Sequence, residues 1–131
     1  MDLKLTIGMK AAKAEKVTND NTAMKYGSGG IQVYATPAMV GLMEGACLMA
    51  VDPHLPEGMA TVGIDLSIKH LAATPVGMTV RAEAELTGIE GKKLVFRVQA
   101  FDDKELIGTG THQRFIIDME KFLQKVEEKK A

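Results

Sequence analysis

The sequence predicts an α+β fold, one long buried helix wrapped by an antiparallel sheet, and three observations carry that prediction. The first is TPAMVGLMEGACLMAV, residues 36 to 51, which is apolar on every side. The second is the run from residue 60 to residue 117, where apolar and polar residues alternate in segments separated by turn formers. The third is MEKFLQKVEEKK near the C-terminus, whose apolar residues recur at helical spacing. A helix that is apolar all round is normally buried, and an antiparallel sheet has one inner face with which to cover it.

Taken in order, residues 1 to 18 alternate weakly through Leu3, Leu5, Ile7 and Met9 and then turn Ala- and Lys-rich. They read as an opening strand with a polar continuation ending near Val17. TNDNTAMKYGSGG, residues 18 to 30, is rich in loop formers and reads as a flexible segment, a connector or a gate beside the helix. The helix itself opens with Thr36 as cap and Pro37 in the first helical position, and it closes at Asp52-Pro53.

A loop over residues 53 to 58 follows. Residues 60 to 70 then place Val62, Ile64, Leu66 and Ile68 on one face and Thr61, Gly63, Asp65, Ser67 and Lys69 on the other. By that parity His70 falls on the apolar face and points toward the helix. After the break AATPVG, residues 78 to 86 alternate again, Glu90-Gly91 supplies a hairpin turn, and residues 92 to 101 return. Asp102-Asp103-Lys104 makes a second turn before a strand from about residue 105 to 117. Asp118 caps the last helix, along which Met119, Phe122, Leu123 and Val126 form a stripe. The expected topology is one strand, the helix, a meander of four strands and a C-terminal helix.

Composition narrows the function classes. At 131 residues, with no repeat or linker, the chain is one domain large enough for a core. A net charge of −1 offers nothing to nucleic acid or to an anionic membrane face. The single cysteine, Cys47, excludes an internal disulfide and a cysteine-rich zinc site and reads as core packing. His54, His70 and His112 have no metal-ligand spacing, so no metal is expected. Gly-Ser-Gly-Gly at 27 to 30 lacks the lysine and the strand–helix setting of a phosphate loop. MDLKLTIGMK does not read as a signal peptide and no apolar run reaches membrane-spanning length, so a cytoplasmic protein is expected.

Three inward polar residues remain: Thr36 at the helix start, Glu44 two turns on, and His70 at a strand end. Thr36 is a good cap whatever else it does, and a lone histidine often serves structure. Glu44 is harder to dismiss, because a carboxylate in an apolar helix must be hydrogen-bonded, protonated or facing a cavity. Together they are a hydroxyl, a carboxylate and an imidazole, the groups that acyl-transfer hydrolysis uses. The hydroxyl also sits at a helix N-terminus, where backbone N–H groups and the helix dipole favour a developing oxyanion.

ATPAMVGLMEGAC, TVGIDLSIKHLAATPVGMTVRAEAEL and ELIGTGTHQRFIID resemble the fluoroacetyl-CoA thioesterase-like family of hotdog-fold proteins, in order from about Tyr34 to the C-terminus. The resemblance implies a hotdog fold, edge-to-edge homodimers or dimers of dimers, and acyl-CoA sites at the subunit interface. It implies hydrolysis of a short-chain acyl-CoA to free acid and CoA, with CoA as part of the substrate and no separate cofactor. The family's Thr-Glu-His set falls on Thr36, Glu44 and His70. Gly63 would lie against the thioester, and Arg114 would orient a carboxylate or contact CoA, unless it is a solvent-facing strand arginine.

One departure stands out. The fluoroacetyl-selective type carries a bulky apolar lid before the helix, where this chain has Tyr26-Gly-Ser-Gly-Gly, so that selectivity is not carried over. Two other readings compete. Asp65 and His70 have the D-x4-H spacing of hotdog enoyl-CoA hydratases, although residues five apart in a straight strand face opposite sides. A non-catalytic acyl-CoA-binding module would keep the fold without turnover, and a Glu44 held only by structural hydrogen bonds would favour it.

Overall fold

The chain runs through strand β1 (Lys10–Lys16), a single-turn helix α1 (Ala23–Tyr26) and the long helix α2 (Thr36–Val51). Strands β2 (Met59–His70), β3 (Thr79–Glu90), β4 (Lys93–Phe101) and β5 (Leu106–Asp118) follow, and helix α3 (Met119–Glu127) comes last. The structure is a computed structural model that describes residues 4–131. All strand pairs are antiparallel, in the order β1-β3-β4-β5-β2.

Helix α2 buries one side against the sheet through Ala38, Met39, Leu42, Met43, Ala46, Cys47 and Ala50, the i, i+3, i+4 spacing of one helical face. Val80, Ala82, Ala84 and Leu86 of β3 and Leu94, Phe96 and Val98 of β4 meet it. The opposite face is open. Thr36, Pro37, Gly41, Leu48 and Met49 are exposed and Val40 and Glu44 half-buried. The helix is therefore apolar all round yet buried on one side only, a correction to the expectation of complete burial.

The sheet departs from the expected meander. Only β3, β4 and β5 are consecutive neighbours; β2 lies beyond β5 as an edge strand, with its other edge unpaired among the described residues. The link from β2 to β3 crosses to the far side of the sheet and is tied down on the way. The Leu71 N–H donates to the Ile107 carbonyl, the Tyr34 N–H to the Thr74 carbonyl, and the buried Thr74 hydroxyl to Asp102.

At the other edge, β1 is the Ala- and Lys-rich stretch, and the alternation before it is not strand; Leu3 lies outside the described residues. Pairing with β3 holds KAAKAEK extended despite its weak strand propensity. Lys13 faces inward, its Cδ and Nζ 3.0 Å from where a Cβ on Gly45 would lie. Glu15, on the same face, accepts a 2.5 Å hydrogen bond from the Tyr34 hydroxyl. Residues 18 to 30 are less irregular than expected, because the Thr22 side chain caps α1 and Gly27 ends it at φ 71°. Asp52–His54 is a 3-10 turn that continues α2 rather than a plain loop. The Glu90-Gly91 turn and the Asp118 cap on Lys121 form as expected.

Strand β2 carries a β-bulge: the register with β5 slips between Gly63 and Asp65. Thr61 and Gly63 pair with Ile116 and the buried Arg114, on the helix side, and past the bulge Leu66, Ile68 and His70 take that side. The extra residue, Ile64, reverses the parity. His70 faces inward as expected, whereas Val62 and Ile64 do not share its face and Thr61 and Gly63 lie on the helix side.

The β2–β5 contact is tight at Gly110, where a Cβ would stand 2.0 Å from the Ser67 carbonyl oxygen. Backbone on the receiving side cannot swing away as a flexible side chain can. Gly110→Ala is expected to cost about 1–3 kcal/mol, read as a lowered denaturant midpoint with unchanged slope; an unaltered midpoint refutes the packing argument.

Candidate active site

Thr36 is the first residue of α2 but not its cap. Ala35 occupies the cap position with no side-chain hydrogen bond, so the first turn of the helix keeps its N–H groups free of a capping side chain. The Thr36 hydroxyl instead lies 2.7 Å from His70 Nδ1. The expectation of Thr36 as cap is corrected, and its hydroxyl is left for His70.

His70 Nε2 is buried and has no hydrogen-bond partner. Burial lowers the His70 pKa, with the Ala72 backbone pulling weakly the other way. The imidazole is thus held neutral near pH 7, and the nitrogen within reach of outside groups is Nδ1, on the Thr36 side. Around this pair opens a cleft of ≈ 760 Å³, bounded by α1 and the segment after it on one side and Leu71, Ala72 and Ala73 on the other.

Glu44 sits two turns along the same exposed stripe of α2. Its Oε2 lies 3.1 Å from the position a Gly63 Cβ would take, and His112 Cε1 lies 3.0 Å from the same point. A side chain at 63 would press on both, and each would have to give by a few tenths of an ångström, so glycine is the residue that fits without displacing either. Among the described residues, Glu44 accepts no hydrogen bond and joins no ion pair, so the carboxylate is not committed to structure. Thr36 and His70 meet directly, and Glu44 meets Gly63 instead, about 12 Å farther along the helix axis at 1.5 Å per residue.

Arg114 is 6% exposed, which removes the solvent-facing reading. Its Nε donates to Thr61 Oγ1 (2.7 Å), Nη2 to the Thr61 carbonyl (2.9 Å) and Nη1 to His112 Nε2 (3.1 Å). Thr61 Oγ1 in turn donates to Asp52 Oδ1 at 2.6 Å. Because arginine only donates, His112 Nε2 must accept, and Nδ1–H donates to the Asp65 carbonyl at 2.8 Å. His112 is therefore a neutral imidazole of defined tautomer; burial above all, with the Arg114 charge, lowers its pKa, and the Asp65 carbonyl opposes the shift.

Sequence reasoning weighed His112 only as a metal ligand. The signal for its place was the GTHQR parity, which puts residues 112 and 114 on one face. Cys47 is buried, its thiol pushed up to about 12, and takes no part. Asp65 lies on the outer face, opposite His70. Among the described residues no His, Cys, Asp and Glu cluster could hold a metal, and no helix is long and apolar enough to cross a membrane.

Comparison with known proteins places this arrangement. The family model FlK, fluoroacetyl-CoA-specific thioesterase, matches residues 17–120. A fluoroacetyl-CoA thioesterase of Streptantibioticus cattleyicolor is 48% identical over 98 residues, 75% of this chain and 70% of that one. A crystal structure of a fluoroacetyl-CoA thioesterase FlK mutant in complex with acetyl-CoA superposes with a TM-score of 0.91 at 38% identity, covering 97% of this chain and 100% of that one. A thioesterase superfamily member from Thermus thermophilus superposes at 0.85 and 31% identity, over 95% and 94% of the two chains.

The two lowered histidine pKa values set a pH dependence. Each folded-state pKa lies below the ordinary 6.5, so as pH falls the unfolded chain takes up protons first. The stabilisation from neutral His70 and His112 is complete above about 6.5 and is lost as pH drops through their folded values. Thermal unfolding should show Tm falling between pH 7 and pH 5, and His112→Gln should flatten part of that slope. An equally steep profile in the variant contradicts a lowered pKa for His112.

Proposed function

Because the chain belongs to the fluoroacetyl-CoA-specific thioesterase family, we propose that it hydrolyses acyl-CoA thioesters to free acid and CoA, with Thr36 and His70 as the working pair. The observation that carries this is the 2.7 Å contact between the Thr36 hydroxyl and His70 Nδ1 at an uncapped helix N-terminus. His70 Nδ1 takes the Thr36 proton as Oγ1 attacks the thioester carbon, and N–H groups of the first helical turn receive the negative oxygen. The C–S bond breaks, and the proton passes from the imidazolium to the CoA thiolate. Water, deprotonated by His70, then adds to the acyl carbon; the bond to Thr36 Oγ1 breaks, the imidazolium returns the proton to Oγ1, and the free acid leaves. No separate cofactor is required, since CoA arrives with the substrate.

Glu44 enters through a second copy of the chain. The open edge of β2 carries Ile64 and Leu66, 52% and 45% exposed, and the open face of α2 carries Leu48 and Met49, also exposed. A long apolar edge strand left bare invites pairing. Antiparallel pairing of two copies of β2 about a twofold axis near residues 66 and 67 sets Gly63 of one copy opposite His70 of the other. Glu44 and Gly63 of one subunit then complete the site begun by Thr36 and His70 of its mate, giving two sites per homodimer. A dimer of dimers is a further assembly on the same plan, and a cytoplasmic location suits a CoA ester as substrate.

The competing readings lose support. Asp65 and His70 do not converge, which removes the hydratase pairing, and a carboxylate that no structural hydrogen bond uses is unexplained in a pure binding module.

Thiol release from acyl-CoA should be rapid for the wild type and fall about a hundredfold or more in His70→Ala and Glu44→Ala, with both variants folded. Thr36→Ser should keep most of the rate and Thr36→Ala should lose it; full activity in Thr36→Ala would show that water attacks directly. Two inactive proteins, His70→Ala and Glu44→Ala, should regain part of the activity when co-expressed, since a mixed dimer contains one intact site. Ile64→Lys should convert the dimer to a folded, inactive monomer by light scattering. Absence of complementation would place Glu44 and His70 in one subunit's site.

A further inference from the structure

The cleft at Thr36 and His70 is larger and more apolar than a two-carbon acyl group requires. In one subunit it is an open cleft of ≈ 760 Å³, several times the volume of a two-carbon acyl group. Away from Thr36 and His70 its walls include Ala23, Val33, Val40, Leu71 and Ala73, and among the described residues of one subunit no cationic side chain lines it. Tyr34 contributes ring surface, because its hydroxyl is already donated to Glu15. The Ser28 hydroxyl is the remaining polar side-chain group.

We propose that this cleft receives the acyl group, and that the substrates are uncharged, apolar acyl-CoAs larger than acetyl, of butyryl, isovaleryl or hexanoyl size. The inference rests on the thioesterase reading and deepens it. The reasoning is complementarity. An acyl chain that fills the space removes apolar surface from water on both sides, a gain that acetyl and fluoroacetyl forgo. A terminal carboxylate, as in succinyl-CoA, would leave water for a wall without a cation to meet it. The Gly-Ser-Gly-Gly turn beside α1 contributes no bulky side chain to shorten the cleft.

The test compares kcat/KM for acetyl-, fluoroacetyl-, butyryl-, isovaleryl-, hexanoyl- and succinyl-CoA on the full chain. Butyryl to hexanoyl esters should exceed acetyl and fluoroacetyl by tenfold or more, and succinyl should be poorest among the larger ones. Ala73→Leu narrows the cleft at an exposed position outside the reacting groups. It should lower the ratio of hexanoyl to acetyl kcat/KM at least tenfold. A preference for acetyl, fluoroacetyl or succinyl overturns the inference while leaving the thioesterase reading intact, and so does an Ala73→Leu variant with an unchanged profile. Hydrolysis of none of the esters would instead sink the thioesterase reading. Calorimetric titration with the same esters then decides the preference of the cleft alone, with acetyl binding as tightly as butyryl counting against it.

Discussion

One inserted residue in β2 organises the functional face of this protein. At Ile64 the strand gains a residue over its partner β5, and everything beyond changes side. Without that bulge Gly63 and His70, seven residues apart, would face opposite sides of the sheet. With it, Thr61, Gly63, Leu66, Ile68 and His70 share the side that α2 covers. The bulge is held by the neighbouring strand: the Asp65 carbonyl, displaced from the regular ladder, accepts the His112 N–H. His112 is in turn oriented by Arg114, Arg114 by Thr61, and Thr61 by Asp52 at the end of α2. Each link has one possible donor and one acceptor, so the series admits a single arrangement.

Helix α2 joins the core to the chemistry by dividing its two faces. Met39, Met43, Ala46 and Cys47 pack on the sheet, fixing its height and rotation. That rotation presents Thr36, Val40 and Glu44 along the opposite stripe, toward the inner face of β2. The polar groups there are unusual in being unspent: Glu44 has no hydrogen-bonding partner among the described residues, and His70 Nε2 is buried without one. Polar groups left so in a folded protein cost stability and are generally tolerated where function uses them. Arg114 is the contrast. It is buried and charged, and three of its N–H groups are donated to Thr61 and His112, which ties it to the bulge.

The bare edge of β2 and the open face of α2 share a physical cause. Within one chain Glu44 stands two helical turns from Thr36, about 12 Å along the axis, so its carboxylate meets the Gly63 position while the Thr36 hydroxyl meets His70. In the homodimer proposed above, a twofold axis would bring unlike ends of the same groove together, so one assembly step would cover the exposed apolar surface and complete the site.

Much of this was legible in the sequence. The helix bounds at Thr-Pro and Asp-Pro, the Glu90-Gly91 hairpin, the Asp118 cap and the inward direction of His70 all follow from local rules, because caps, turns and strand parity depend on neighbours a few residues away. The choice of Thr36, Glu44 and His70 also came from the sequence, since polar groups stand out against apolar surroundings. What only the tertiary structure decided depends on partners distant in the chain. KAAKAEK became a strand because β3 was there to pair with it. β2 left the expected meander for the far edge, next to β5. A bulge, invisible to a period-two reading, carried Gly63 to the helix side, and the Thr36 hydroxyl turned from its own helix to His70. Local sequence determines which shapes each segment can take; the pairing of β2 with β5 and the seat of α2 on the sheet select among them, because only there do burial and hydrogen bonding favour one register over the rest.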